Sequence, residues 1–129
     1  MHKPVRISAS TLKSWMDNPQ QPFVVIDVRD HDTFGSPINS FFQGHIRHSI
    51  NVPAANFVPS LPSLSSSLCN TKRVVFHCQL SQSRGPACAT AYSRHISHIF
   101  PHQEIYILDG GFNEWARLYG RDARYTEAL

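Results

Sequence analysis

Cysteine is scarce in this chain: Cys69, Cys78 and Cys88 are the only three among 129 residues. The count is odd and the chain is too long to need covalent stapling. The thiols are therefore expected to be reduced, in a cytoplasmic or nuclear compartment. Long apolar runs are missing too. None approaches the roughly 20 residues that span a bilayer, and Met1-His2-Lys3-Pro4 has no apolar stretch behind it, so a signal peptide is not expected. Dense basic clusters are also missing. The formal charge of +3 favours anionic ligands. Yet the longest basic run is Lys72-Arg73, and Arg117, Arg121 and Arg124 alternate with Asp122 and Glu127. That scatter argues against nucleic acid as a partner. The serines and threonines form no Ser/His/Asp signature. Pro101 separates His95 and His98 from His102, so no metal site is expected.

What is present suits one folded unit. The hydrophobic fraction is 41%, ordinary for a globular chain, and residues 1–129 are expected to form a single domain without internal repeats. Arg6-Ile7-Ser8 reads as an edge strand, and Ser10 as the cap of a helix reaching Met16, with Leu12, Trp15 and Met16 on its apolar face. Phe23 to Val28 is a continuous apolar run, the mark of a strand covered on both faces. Residues 30–34 predict one helical turn and 35–42 a loop. Ser49 to Val52 predicts a short strand, Ala54 to Val58 a brief helix, and the Ser- and Pro-rich stretch 59–67 a surface segment. Val74 to His77 predicts the central strand. A helix follows from Gly85 to about Phe100, with Pro86 where its missing N–H is harmless. Glu104 to Leu108 predicts another strand. Asp109-Gly110-Gly111 turns into a helix over 112–119 that Gly120 ends. The last nine residues read as a polar arm. The alternation predicts an α/β fold, a mainly parallel sheet with helices on both faces.

The chemistry concentrates in residues 74–86, Val-Val-Phe-His-Cys-Gln-Leu-Ser-Gln-Ser-Arg-Gly-Pro. Ligands of parallel sheets bind beyond the carboxyl ends of the strands, and Cys78 stands there. The loop Gln79, Leu80, Ser81, Gln82, Ser83 can curl so that successive N–H groups converge on an anion. The helix starting near Gly85 adds a positive dipole end, worth roughly 0.3–1 kcal/mol and up to ~2 when partly buried. Arg84 contributes a planar fork for two oxyanion oxygens. The same field favours the thiolate of Cys78, and the hydroxyls of Ser81 and Ser83 are expected to donate to it. A core role for Cys78 is the bland alternative; the strand, the spacing to Arg84 and the Gly85-Pro86 helix start weigh against it.

With these residues the chain resembles the rhodanese superfamily. The segments are Val-Val-Ile-Asp-Val-Arg-Asp (24–30), Gly-His-Ile (44–46), Asn-Val-Pro (51–53), His-Cys-x5-Arg-Gly-Pro (77–86) and Leu-Asp-Gly-Gly-Phe-x-x-Trp (108–115). Within it, the loop is similar to that of the cell-division-cycle dual-specificity phosphatases and the eukaryotic arsenate reductases. Sulfurtransferases of the superfamily have a loop one residue shorter, so the length here implies a phosphate- or arsenate-sized ligand. The resemblance implies Cys78 as nucleophile, Arg84 and the amides of 79–84 as the oxyanion site, and Asp27 and Arg29 as buried structural groups. Two departures stand out. Val28 occupies the position of the phosphatases' back-door cysteine, and their long regulatory extension is missing, so a bare catalytic domain is expected.

Two activities follow as expectations. The first is a phosphatase for phosphotyrosine- or phosphothreonine-type esters, working through phosphocysteine without a cofactor. The second is an arsenate reductase drawing electrons from glutathione and glutaredoxin. A non-catalytic phosphate-binding module ranks behind both, and sulfur transfer last. The expected partners are a phosphorylated protein or a small oxyanion, with no membrane involved. His77 should face away from the loop, by strand alternation. Cys88 reads as a core filler, with a lesser alternative as a trap for oxidised Cys78. Cys69 carries no assigned role. Asp30, Asp32 and Glu104 are candidate acids by residue type alone.

Overall fold

A computed structural model describes residues 3–30 and 44–128. Five parallel strands form the central sheet in the order β1-β6-β5-β2-β4. They are β1 (Val5–Ile7), β2 (Phe23–Asp27), β4 (Ile50–Asn51), β5 (Arg73–His77) and β6 (Glu104–Leu108). The β-branched runs of β2, β5 and β6 take the centre, where both faces are covered. Val24 pairs with Val74 and Asp27 with His77, while Val74 also pairs with Ile105. The short strands β1 and β4 form the edges. The expected parallel α/β architecture is the observed one.

Side chains alternate across β5. Val74, Phe76 and Cys78 face helices α2 (Phe57–Ser67) and α3 (Arg84–Ile96), where Phe57 meets Phe76 edge-on at 5.8 Å between ring centroids. Val75 faces α1 (Ala9–Asp17) and α4 (Gly111–Tyr119), packed around Leu12, Phe112 and Trp115. Each fully buried side chain of that size contributes roughly 1.5–3 kcal/mol.

Three local expectations are corrected. The stretch 59–67 is most of helix α2 rather than a surface segment, and the 3-10 turn Ala54–Asn56 leads into it. Phe57, Leu61 and Leu64 recur at helical spacing and are buried, with Leu68 continuing the stripe. That burial outweighs the hydrogen bond lost at Pro62. The cap of α1 is Ser8 rather than Ser10, with its hydroxyl accepting the Thr11 N–H at 3.1 Å. The C-terminal residues are not a free arm. Strand β7 (Thr126–Glu127) pairs antiparallel with β3 (His45–Ile46), and the Trp115 indole N–H donates to the Thr126 hydroxyl at 2.9 Å. The turn expected over 30–34, the loop over 35–42 and Asp32 itself lie largely or wholly outside the described residues.

Candidate active site

Strand β5 delivers Cys78 to the carboxyl end of the sheet, beside the end of β2. Its side chain continues the Val74–Phe76 face and is 3% exposed. The sulfur is not left to hydrocarbon alone, because the Ser81 N–H points at Sγ from 3.2 Å. Ser81 reaches that position with φ of +56°, a left-handed conformation unusual outside glycine. Such a residue held in place by its surroundings, at a strain of order 1 kcal/mol, is characteristic of a shaped ligand loop.

The surroundings are visible. Three carbonyls of the segment 78–81 are held by donors from elsewhere in the fold. Cys78 O accepts the Phe112 N–H at 3.0 Å, and Gln79 O accepts the Asn113 N–H at 2.9 Å, both from the first turn of α4. Ser81 O accepts from Arg6 Nη2 at 3.1 Å, while Arg6 Nη1 is anchored on Asp109 at 2.8 Å. The Gln79 amide bonds to the Asn113 side chain. With those carbonyls held, the Ser81 N–H is left facing the sulfur. Among the described residues none accepts from the N–H of Leu80, Gln82 or Ser83. Such an array of free amides binds anions.

Helix α3 starts at Arg84 and presents its N-terminus to this loop. Gly85 permits the approach: a Cβ there would lie 3.2 Å from Cys78 N and 3.3 Å from the His77 carbonyl carbon. The Arg84 side chain is 32% exposed, at the rim, and its Nη1 donates to Asp30 Oδ2 at 3.3 Å. The other Asp30 oxygen accepts the Ala55 N–H at 3.0 Å.

Beneath the loop lies a buried polar layer. Arg29 and Asp27 are both inaccessible and joined by a two-pronged ion pair, Nη2–Oδ2 at 2.7 Å and Nε–Oδ2 at 3.0 Å. Arg29 also donates to Gly44 O and lies 4.1 Å over the Phe112 ring. His77 is fully buried on the opposite face from the sulfur, stacked on Phe112, with Nδ1 3.0 Å from Cys78 O. Burial pushes its pKa below the ordinary imidazole range, with Asp27 opposing in part. A neutral ring donating from Nδ1 braces the carbonyl and cannot reach the sulfur as a base. Cys88 packs in the same apolar cluster as Cys78, and burial pushes its thiol up to about 12.

The structure thus gathers Cys78, the loop 79–83 and Arg84 at one end of the sheet. The thiol-directed hydrogen bond comes from the Ser81 backbone, not its hydroxyl, which is buried without a partner among the described residues. Ser83 is exposed. Glu104 begins β6, at the far end of the sheet, where Arg73 and Tyr106 hold it. Cys69 is exposed and apart from the loop. Sequence reasoning missed Arg6 and the α4 amides as braces of the loop. Nothing in their local sequence signals contact with residues 78–81, since Arg6 lies 75 positions from Ser81.

Comparison with known proteins places this geometry. The Rhodanese-like domain family matches residues 8–118. Arsenate reductase 2.1 of rice (Oryza sativa subsp. japonica) is 33% identical over 84% of this chain, which spans 64% of that protein's length. Dual specificity phosphatase ibp1 of Schizosaccharomyces pombe is 28% identical, covering 88% of this chain and 89% of its own. Among solved structures, Ygr203w, a yeast protein tyrosine phosphatase of the rhodanese family, superposes with a TM-score of 0.83. It is 26% identical, covering all of this chain and 96% of its own. The As-Sb reductase of Leishmania major follows at 0.71 and 25% identity, covering 93% of this chain and 81% of its own.

Proposed function

The chain belongs to the Rhodanese-like domain family, and on that premise we propose that it is a cysteine-dependent phosphatase for phosphotyrosine- or phosphothreonine-type esters. One observation carries the proposal: the Ser81 amide aimed at Cys78 Sγ, in a loop braced through the carbonyls of Cys78, Gln79 and Ser81 and followed by Arg84. In the reaction the Cys78 thiolate attacks phosphorus in line with the ester oxygen. The P–O bond breaks, the leaving ester oxygen takes a proton from solvent water, and a phosphocysteine remains. Free amides of the loop and the Arg84 fork hold the equatorial oxygens and stabilise the charge of the transition state. Water then attacks phosphorus and expels the thiolate, which the Ser81 N–H stabilises as a leaving group. No cofactor is needed.

Arsenate reduction is the second reading, favoured by the 33% identity to the rice reductase. The same cradle accepts arsenate, and Cys78 would displace water from arsenic. Cys88, a neutral buried thiol pushed up to about 12, is poorly suited to complete the reduction. The electrons would have to come from an external thiol such as glutathione, with glutaredoxin.

A paired assay tests the proposal: aryl-phosphate hydrolysis, and arsenate reduction with glutathione and glutaredoxin. Hydrolysis is expected, abolished by Cys78→Ser and lowered about 10²–10³-fold by Arg84→Lys, because a point charge cannot replace the fork. Arsenate reduction alone would replace the first reading with the second. Activity in neither arm would overturn both and leave an anion-binding module.

A further inference from the structure

Arg84 has three nitrogens able to meet an anion, and they are not equivalent. Nε and Nη2 form the side edge of the guanidinium, which presents two parallel N–H bonds to a tetrahedral oxyanion. Nη1 lies on the other side. In this structure Nη1 is held by Asp30 Oδ2 at 3.3 Å, and no described residue takes Nε or Nη2. Asp30 is itself fastened. Its second oxygen accepts the Ala55 N–H at 3.0 Å. The backbone around it is fixed by Asn51 Nδ2 donating to Arg29 O at 2.9 Å and by Ala54 N donating to Val28 O at 3.0 Å. Behind it stands the buried Asp27–Arg29 pair. The carboxylate is thus a strut running from the rigid end of β2 to a long, flexible side chain.

We propose that Asp30 is a positioning residue that holds Arg84 by Nη1, so that the Nε–Nη2 edge faces the oxyanion bound over Cys78. The inference rests on the oxyanion site of the proposed function. A carboxylate at the rim repels an incoming anion, so its presence there is unfavourable for binding by charge alone. Its benefit lies in orientation: a guanidinium already turned the right way loses less freedom on meeting the transition state. Charge and orientation act in opposite senses, and that separates this role from a merely structural one. Side-chain exposures of 32% for Arg84 and 29% for Asp30 place the pair at the rim, beside the anion's path rather than in the core.

The test is a double-mutant cycle on the whole chain. Asp30→Ala and Asp30→Asn are made with Arg84 intact and with Arg84→Lys, which has no side edge to orient. Each protein is assayed for kcat and KM on an aryl phosphate, and for affinity for tungstate, an inert tetrahedral dianion, by calorimetry. With Arg84 intact, Asp30→Ala is expected to lower kcat at least tenfold with KM moving less than threefold. Asp30→Asn removes the charge but keeps an acceptor, and is expected to lose less in kcat and to bind tungstate more tightly. In the Arg84→Lys background Asp30→Ala should change kcat less than twofold. Equal losses in both backgrounds, or a parallel rise in KM and fall in kcat with weaker tungstate binding by Asp30→Asn, would overturn the proposal. If the parent protein turns over no substrate, the phosphatase reading fails by itself. Tungstate affinity then decides on Asp30: the strut survives only if Asp30→Ala tightens binding less with Arg84 present than with Lys in its place, and an equal change in both backgrounds overturns it.

Discussion

Single residues set the electrostatic character of this site, and His77 shows how. Buried beside the Asp27–Arg29 pair, its ring is held neutral by desolvation, with a pKa below the ordinary value. The unfolded chain titrates near ~6.5. Below that pH the unfolded state therefore binds a proton that the folded state refuses. By linkage, stability falls as pH drops through ~6.5 and continues to fall until the depressed folded value is reached. The slope from this one group is at most about 1.4 kcal/mol per pH unit. Urea unfolding of the parent and of His77→Gln between about pH 7.5 and about pH 5.5 isolates the contribution. The variant is expected to show the shallower acid dependence, and equal slopes would contradict the assignment. The sequence disclosed the orientation of His77 through strand alternation, and the meeting of Cys78 and Arg84 at one end of the sheet through their spacing and the Gly-Pro that follows. It did not disclose which atom meets the sulfur. A hydroxyl and an amide on the same Ser81 are indistinguishable until the left-handed φ turns one toward Sγ and leaves the other aside.

Elements position the loop more than the loop's own sequence does. The first turn of α4 supplies two amides to the carbonyls of Cys78 and Gln79, and this needs backbone contact closer than a side chain allows. Gly111 has φ of +58°, and a Cβ there would fall 2.6 Å from Gln79 O and 2.7 Å from Cys78 O. Gly111→Ala is expected to destabilise the fold by about 2 kcal/mol or more. It should also lower kcat in the surviving folded protein, because the carbonyls it displaces belong to Cys78 itself and to the residue after it. Thermal unfolding with kinetics on the same preparation checks this, and full activity in a stable variant would contradict it. The Gly-Gly pair announced the turn in the sequence, but not what it packs against. Helix α2 illustrates the opposite difficulty. Pro59, Pro62 and a run of serines oppose a helix by propensity, and only the buried stripe of Phe57, Leu61 and Leu64 against Phe76 and Tyr92 overrides it. Weak local signals lose to tertiary burial, and a sequence scanned by composition favours the local signal.

At the scale of the whole molecule, a five-stranded parallel sheet brings the ends of β2, β5 and β6 together beneath the loop that follows Cys78. The alternation of strands and helices predicts this architecture, and the family match agrees with it. Long-range closure was the illegible part. Strand β7 pairs with β3 across some eighty residues, Arg6 braces Ser81, and Asp30 meets Arg84; none of these leaves a periodic trace. The last two meet at the end of the sheet that carries Cys78, so distant parts of the chain fix the geometry that the short motif only announces. Family membership leaves the reaction open, because its relatives carry the names of both phosphatases and arsenate reductases. What unites the account is a covalent bond to Cys78 Sγ during turnover. Acid quenching during steady-state hydrolysis of an aryl phosphate, followed by mass spectrometry of the peptide carrying residues 74–84, tests it most directly. The account predicts one phosphoryl group on Cys78, absent in Cys78→Ser. Turnover with that peptide unmodified, or turnover retained by Cys78→Ser, would contradict it.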